Sequence, residues 1–275
     1  CALPILDVKE TDLLYFGDSV VDYIDPSDSI KSTIPDLLQE KIRTETIKDI
    51  SHSGYTLKVY DALVYKLKNS KVKPKKIILP LNIAAFSPTW YSVPGLQFEK
   101  EIFILKHPVL GIFYKPLAIL RAINTQTVTE ERFRNSDIYY KDKKIGTIRD
   151  FTQDDIRSSY LVRYMASLTN NNPAVMYLSR LLSDAQSAGI TVYTYITPVN
   201  VQAGSRIIGN EFKPHIKETA KTLCDIVKEY SFPCLDLTDI VQSEDFQYYK
   251  DHANEHLKEG GRIVVAEKLS TLLAH

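Results

Sequence analysis

The sequence predicts an α/β protein: a five-stranded parallel sheet covered by helices on both faces, with an aromatic-rich segment inserted. Three observations predict it. Short apolar runs alternate along the chain with segments whose apolar residues recur at helical spacing. That rhythm breaks once, between residues 86 and about 150, and then resumes. The length of 275 residues suits one α/β domain carrying an insertion.

Leu13-Leu14-Tyr15-Phe16 ends at Gly17 and reads as a buried strand that stops at a turn. Residues 33–42 follow as a helix, with Thr33 as N-cap and Pro35 in the first turn, where a missing N–H costs little. Residues 47–50 form a second strand. Leu57, Tyr60, Val64 and Leu67 mark the helix after it, and residues 77–79 the third strand. The segment 86–150 carries Phe86, Trp90, Tyr91, Phe98, Phe103, Phe113 and Tyr114, and ends in a predicted β-hairpin at 138–148. Most of these aromatics read as a satellite core, with a few lining a cleft. Beyond it, Leu178, Leu181, Leu182 and Ala185 make a helix face closed by Gly189. Residues 191–196 are the fourth strand and 234–237 the fifth. Helices marked by Ile216, Ala220, Leu223 and Val227, and by Ile263, Ala266, Leu269 and Leu273, complete the pattern.

Composition is that of an ordinary soluble globular chain, with 44% hydrophobic and 25% charged residues. Thirty-four Lys+Arg balance thirty-four Asp+Glu, so no basic surface points to nucleic acid as a partner. The three cysteines, Cys1, Cys224 and Cys234, make neither a disulfide framework nor a zinc motif. Cys224 and Cys234 read as buried small hydrophobes, with a bridge between them left open. Cys1 fits the lipid-modified first residue of a mature bacterial lipoprotein, hence a membrane-attached, extracytoplasmic protein. It fits equally a chain that merely starts there. The most apolar stretch, 102–120, is broken by Lys106, His107, Pro108, Lys115 and Pro116, so it does not read as a membrane span.

In a parallel sheet, ligands sit at the carboxyl ends of the strands. Gly17-Asp18-Ser19 follows the first strand, His52-Ser53-Gly54 the second and Leu81-Asn82 the third. Asp251-His252-Ala253-Asn254-Glu255-His256-Leu257 precedes the last helix. Each of these alone is a common turn sequence. Taken in order, they resemble the Ser, Gly, Asn and His blocks of the SGNH (GDSL-like) hydrolase family, over most of the chain outside the insertion. The resemblance implies a three-layer, flavodoxin-like fold and acyl-ester chemistry without metal or organic cofactor.

The resemblance makes Ser19 the nucleophile and His256 its base. The Ser19 and Gly54 backbone N–H groups and the Asn82 amide become the oxyanion donors. A serine hydroxyl needs such a base to become nucleophilic, and converging donors stabilise the tetrahedral oxyanion. The family usually carries Asp three residues before that histidine, and here the position is Ala253. Asp251 is the first choice for the carboxylate that orients the imidazole, Glu255 the second, and a dyad without an acid the third. Asp18 reads as an N-cap, and His52 and His252 as polar loop residues. Thr197-Pro198-Val199-Asn200 resembles a segment of SGNH-like proteins of cell-surface O-acylation, including the DltD-like group. Asn200 therefore either contacts substrate or makes the turn. The implied function is a serine esterase or O-acyltransferase acting on an acylated carbohydrate, a small ester or a cell-envelope polymer. The alternatives are a non-catalytic binding protein on the same scaffold, which Ala253 favours, and a nucleotide binder, which the lack of a Gly-rich phosphate loop disfavours.

Overall fold

The computed structural model describes residues 8–10, 12–25, 27–88, 98–107, 152–169, 171–247 and 255–274. Its strands are β1 (Asp12–Gly17), β2 (Thr46–Ser51), β3 (Lys76–Leu81), β4 (Thr191–Ile196) and β5 (Cys234–Asp236). All pair in parallel, in the order β2-β1-β3-β4-β5. The helices α1 (Ser19–Asp22), α2 (Ile34–Lys41) and α3 (Leu57–Lys68) belong to the first half. Next come α4 (Glu99–Lys106), α5 (Gln153–Tyr164) and α6 (Pro173–Ala188), then α7 (Val201–Ile208), α8 (Phe212–Glu229) and α9 (Glu259–Leu273).

Residues alternate between the two faces of the sheet, and both faces are covered. Leu13, Tyr15, Ile78 and Tyr195 pack with Ile34, Leu37 and Leu38 of α2 and Val265, Ala266 and Leu269 of α9. Leu14, Phe16, Ile77, Leu79 and Val192 face the opposite way, into the core shared with α3 to α8. The Tyr15 and Tyr195 hydroxyls satisfy each other at 2.7 Å across the buried face.

Local signals act where the sequence places them. Thr33 and Asp36 form a reciprocal capping box at α2, with Pro35 in its first turn. Gly189 closes α6 at φ 72°, a conformation glycine adopts without a Cβ clash.

The structure corrects one expectation outright. Cys224 and Cys234 are not two separate buried hydrophobes but a disulfide, which joins α8 to β5 with their Cα atoms 5.3 Å apart. It also adds helices α1, α4, α5 and α7, which no sequence signal assigned. Of the expected insertion, 86–88 and 98–107 are described. Within it, α4 packs on α3 through Ile102 and Leu105, and through ion pairs Glu99–Lys58 and Lys106–Asp61. The predicted hairpin at 138–148, Cys1, Asp251 and His252 lie outside the described residues.

Strand order reverses direction between β1 and β3, the crevice where doubly wound sheets take ligands. The two strands also part there. β1 runs to Gly17 and β3 to Leu81, yet their pairing ends at Tyr15↔Ile78. Pro80 supplies no N–H, and β3 stays paired with β4 through Leu81↔Ile196. The missing donor therefore falls on the β1 side and leaves the crevice open.

Candidate active site

The loops after β1, β2 and β3 carry Ser19, Gly54 and Asn82 at the same edge of the sheet. Gly17 ends β1 against a crowded wall: a Cβ there would stand 2.6 Å from Val21 Cβ and 2.8 Å from Ser51 Cβ. Only glycine lets the chain turn so closely from strand into helix. Asp18 is the N-cap of α1, its Oδ1 accepting from Val20 N at 2.9 Å. Ser19 is therefore the first helical residue, half-buried at the carboxyl edge of the sheet.

The loop after β2 runs alongside. His52 N–H donates to the Gly17 carbonyl at 3.0 Å, and a turn from His52 to Tyr55 carries Gly54 at φ 87°. Burial pushes the Asp22 carboxyl up and the nearby Ser53 N–H opposes this, so the loop lies beside the end of α1. Asn82, buried after β3, accepts from Ala84 N at 3.0 Å, and its side chain lies close enough to the Asp18 carboxylate to favour its ionised form. The Asn82 side chain thus stands beside the Ser19 turn.

His256 approaches from the segment before α9. Its ring stacks on Tyr23, with centroids 4.7 Å apart and planes 28° from parallel. Tyr23 is the C-cap of α1, and its N–H donates to the Ser19 carbonyl at 3.1 Å. The segment is held in place by the Phe246↔Leu257 bridge, by Gln247 N donating to His256 O at 2.9 Å, and by Arg262 donating to Leu257 O. Burial pushes the His256 pKa down. The charges of Glu255 and Asp22 oppose that, and Arg163 adds to it.

Glu255, the second choice for a triad acid, is buried and held by α5. Arg163 lies 3.7 Å from one carboxylate oxygen, and Tyr164 donates to the other at 3.3 Å. Asp18 is pushed up to about 7, first by burial and then by the Glu255 charge; the bonds from Val20 and Asn82 only partly offset this. Asn200 lies at the same edge of the sheet, after β4. It caps α7, its Oδ1 accepting from Ala203 N and the Ser243 hydroxyl, both at 3.0 Å. His52 is exposed, stacks on Tyr55 and meets the edge of Phe98.

Two features of the site went unread in the sequence. Tyr23 is four residues past Ser19, the spacing of one helical turn, but nothing local marks its partner at the other end of the chain. Arg262 is fully buried, bonded to Asp28 and to three backbone carbonyls, and reads in the sequence as a surface charge on an amphipathic helix.

No family model and no curated protein matches the chain. Its neighbours among solved structures include acetylxylan esterases and a protein of the G-D-S-L family. The chain is similar to Axe2, an acetylxylan esterase from Geobacillus stearothermophilus, at 11% identity and a TM-score of 0.46, covering 97% of this chain and 95% of that one. It is similar to a protein from Desulfitobacterium hafniense DCB-2, described as lipolytic and of the G-D-S-L family, at 14% identity and a TM-score of 0.46, covering 95% and 99%. A third neighbour, from Bacteroides fragilis NCTC 9343 and described as an acylhydrolase, has 8% identity and a TM-score of 0.42, covering 98% and 88%.

Proposed function

We propose that the chain is a serine-dependent acyl-ester hydrolase or O-acyltransferase of the SGNH type, acting on an acylated carbohydrate or cell-envelope polymer. Ser19 attacks the ester carbonyl while His256 takes its proton and returns it to the leaving alcohol. The acyl group then passes from Ser19 to water or to a sugar hydroxyl. The N–H groups of Ser19 and Gly54 and the Asn82 amide are the donors to the oxyanion. Asp251 is the carboxylate assigned to orient the imidazole; the Glu255 carboxylate is engaged by Arg163 and Tyr164.

One observation carries this reading. The turn that opens with Ser19 closes with Tyr23, and Tyr23 stacks on His256, so one short element carries the serine and touches the histidine. The Cys224–Cys234 disulfide supports an extracytoplasmic setting, because such bonds persist where the surroundings are oxidising.

The test is labelling with a fluorophosphonate together with hydrolysis of p-nitrophenyl acetate. Ser19→Ala should abolish labelling and lower turnover by about 10³-fold or more, and His256→Asn should do much the same with the fold intact by circular dichroism. Absence of both labelling and Ser19-dependent turnover would leave a non-catalytic binding scaffold instead. Adding an oligosaccharide acceptor and looking for its acylated product separates transfer from hydrolysis.

A further inference from the structure

We propose that Tyr23 is the positioning residue for His256: its ring holds the imidazole by face-to-face stacking and receives its positive charge when it takes the Ser19 proton. The proposal rests on the reading of Ser19 and His256 as nucleophile and base. Nothing in the block resemblance assigns a role to Tyr23.

The geometry is unusually well fixed for a residue so exposed. Tyr23 is 39% accessible, yet its backbone is bonded one helical turn from Ser19, N–H to carbonyl at 3.1 Å. The chain that follows it is clamped to α9. Arg262 donates to Asp28 Oδ2 at 2.7 Å, to Ile30 O at 2.8 Å and to Ser32 O at 3.0 Å. Glu259 accepts from the N–H groups of Ser29 and Ile30 at 2.7 and 2.8 Å. Arg262 also donates to Leu257 O at 3.1 Å, adjacent to His256. One buried guanidinium therefore holds both the chain behind Tyr23 and the chain behind His256, and the two rings meet between those anchors.

A stack at 4.7 Å and 28° suits an imidazolium above an aromatic face, since the ring quadrupole attracts a cation. Three charged groups act on the imidazole besides: Glu255 on its own segment, Asp22 on α1 and Arg163 on α5. Glu255 is partly engaged elsewhere, by Arg163 and Tyr164. The aromatic face adds stabilisation of the protonated ring in direct contact with it.

The test follows the His256 imidazole by NMR in the substrate-free protein, with His256→Asn to assign its signal, and compares Tyr23→Phe with Tyr23→Leu. Leucine keeps the ring covered but removes the π face. Tyr23→Phe should leave the titration midpoint and kcat within about twofold of wild type. Tyr23→Leu should lower the midpoint by about 0.5 pH and lower kcat at least about tenfold with little change in KM. The acid limb of kcat/KM should move to lower pH in step with the NMR midpoint. An unmoved or raised midpoint in Tyr23→Leu overturns the proposal. So does Tyr23→Phe behaving like Tyr23→Leu, which would give the role to the hydroxyl. The titration needs no substrate, so it is separate from the esterase reading, which fails on the absence of Ser19-dependent turnover in the wild-type protein.

Discussion

Asp18 sits directly before Ser19 and is pushed up to about 7, mainly by burial. Its ordinary value in the unfolded chain is near 4, so between about pH 4 and pH 7 the folded protein binds a proton that the unfolded chain has lost. Folding stability contributed by this group is therefore full below about pH 4 and is lost as pH rises through about 7. Asp18→Asn removes the titration while keeping an acceptor for the Val20 N–H. Chemical denaturation from pH 4.5 to 8 should show a falling stability for wild type and a flatter profile for the variant. Equal slopes would mean that Asp18 stays ionised throughout. The readout is the slope, because the substitution also changes stability by an amount that does not depend on pH. At this scale the sequence exposed Ser19, Gly54 and Asn82 because each lies within three residues of a strand end, and strand ends are legible from apolar runs. It did not expose Tyr23, or the capture of Glu255 by Arg163 and Tyr164, because each contact joins residues far apart in sequence.

Helix α9 does more than cover the sheet. Through Arg262 it meets a buried carboxylate and three backbone carbonyls at once. Replacing it with a hydrocarbon strands all four, and removing one partner of a buried ion pair typically costs about 3–5 kcal/mol. Arg262→Met should lose stability of that order and, by loosening the chain behind both Tyr23 and His256, lower turnover as well. Asp28→Asn should cost less, since the guanidinium keeps its carbonyl acceptors and a neutral oxygen remains. Urea denaturation of both variants checks the ranking, and the reverse order would contradict the anchoring role. The elements themselves were largely legible. All five strands and the helices α2, α3, α6, α8 and α9 follow from periodicity and caps such as Thr33 and Gly189. Helix α5 was not, although Ile156, Tyr160 and Tyr164 recur every fourth residue, because its other positions are mostly polar and it follows a stretch with no clear period. Helix α7 is two turns long and starts at Asn200, which a sequence reader takes first as a turn.

Across the whole molecule the site depends on a sheet that is deliberately incomplete. A central strand of a parallel sheet normally pairs along its length on both sides, and proline is excluded from such a strand because it breaks a ladder. Pro80 occupies such a strand, in the stretch where β3 still pairs with β4 but has already left β1. Pro80 therefore offers β1 no ladder donor where the two strands part. Pro80→Val would restore a donor, and the seam between β1 and β3 would tend to close toward Gly17. Each added ladder bond contributes about 0.5–1.5 kcal/mol, so the variant should resist denaturant better while turning over ester more slowly. Amide exchange in residues 16–17 and 79–81 should slow in parallel. If stability and turnover rose together, the seam would not be what keeps the crevice open. The trade has a corollary for any search for hardier forms of this protein: selection on stability alone would favour sealing the sheet, and would do so at the expense of its chemistry.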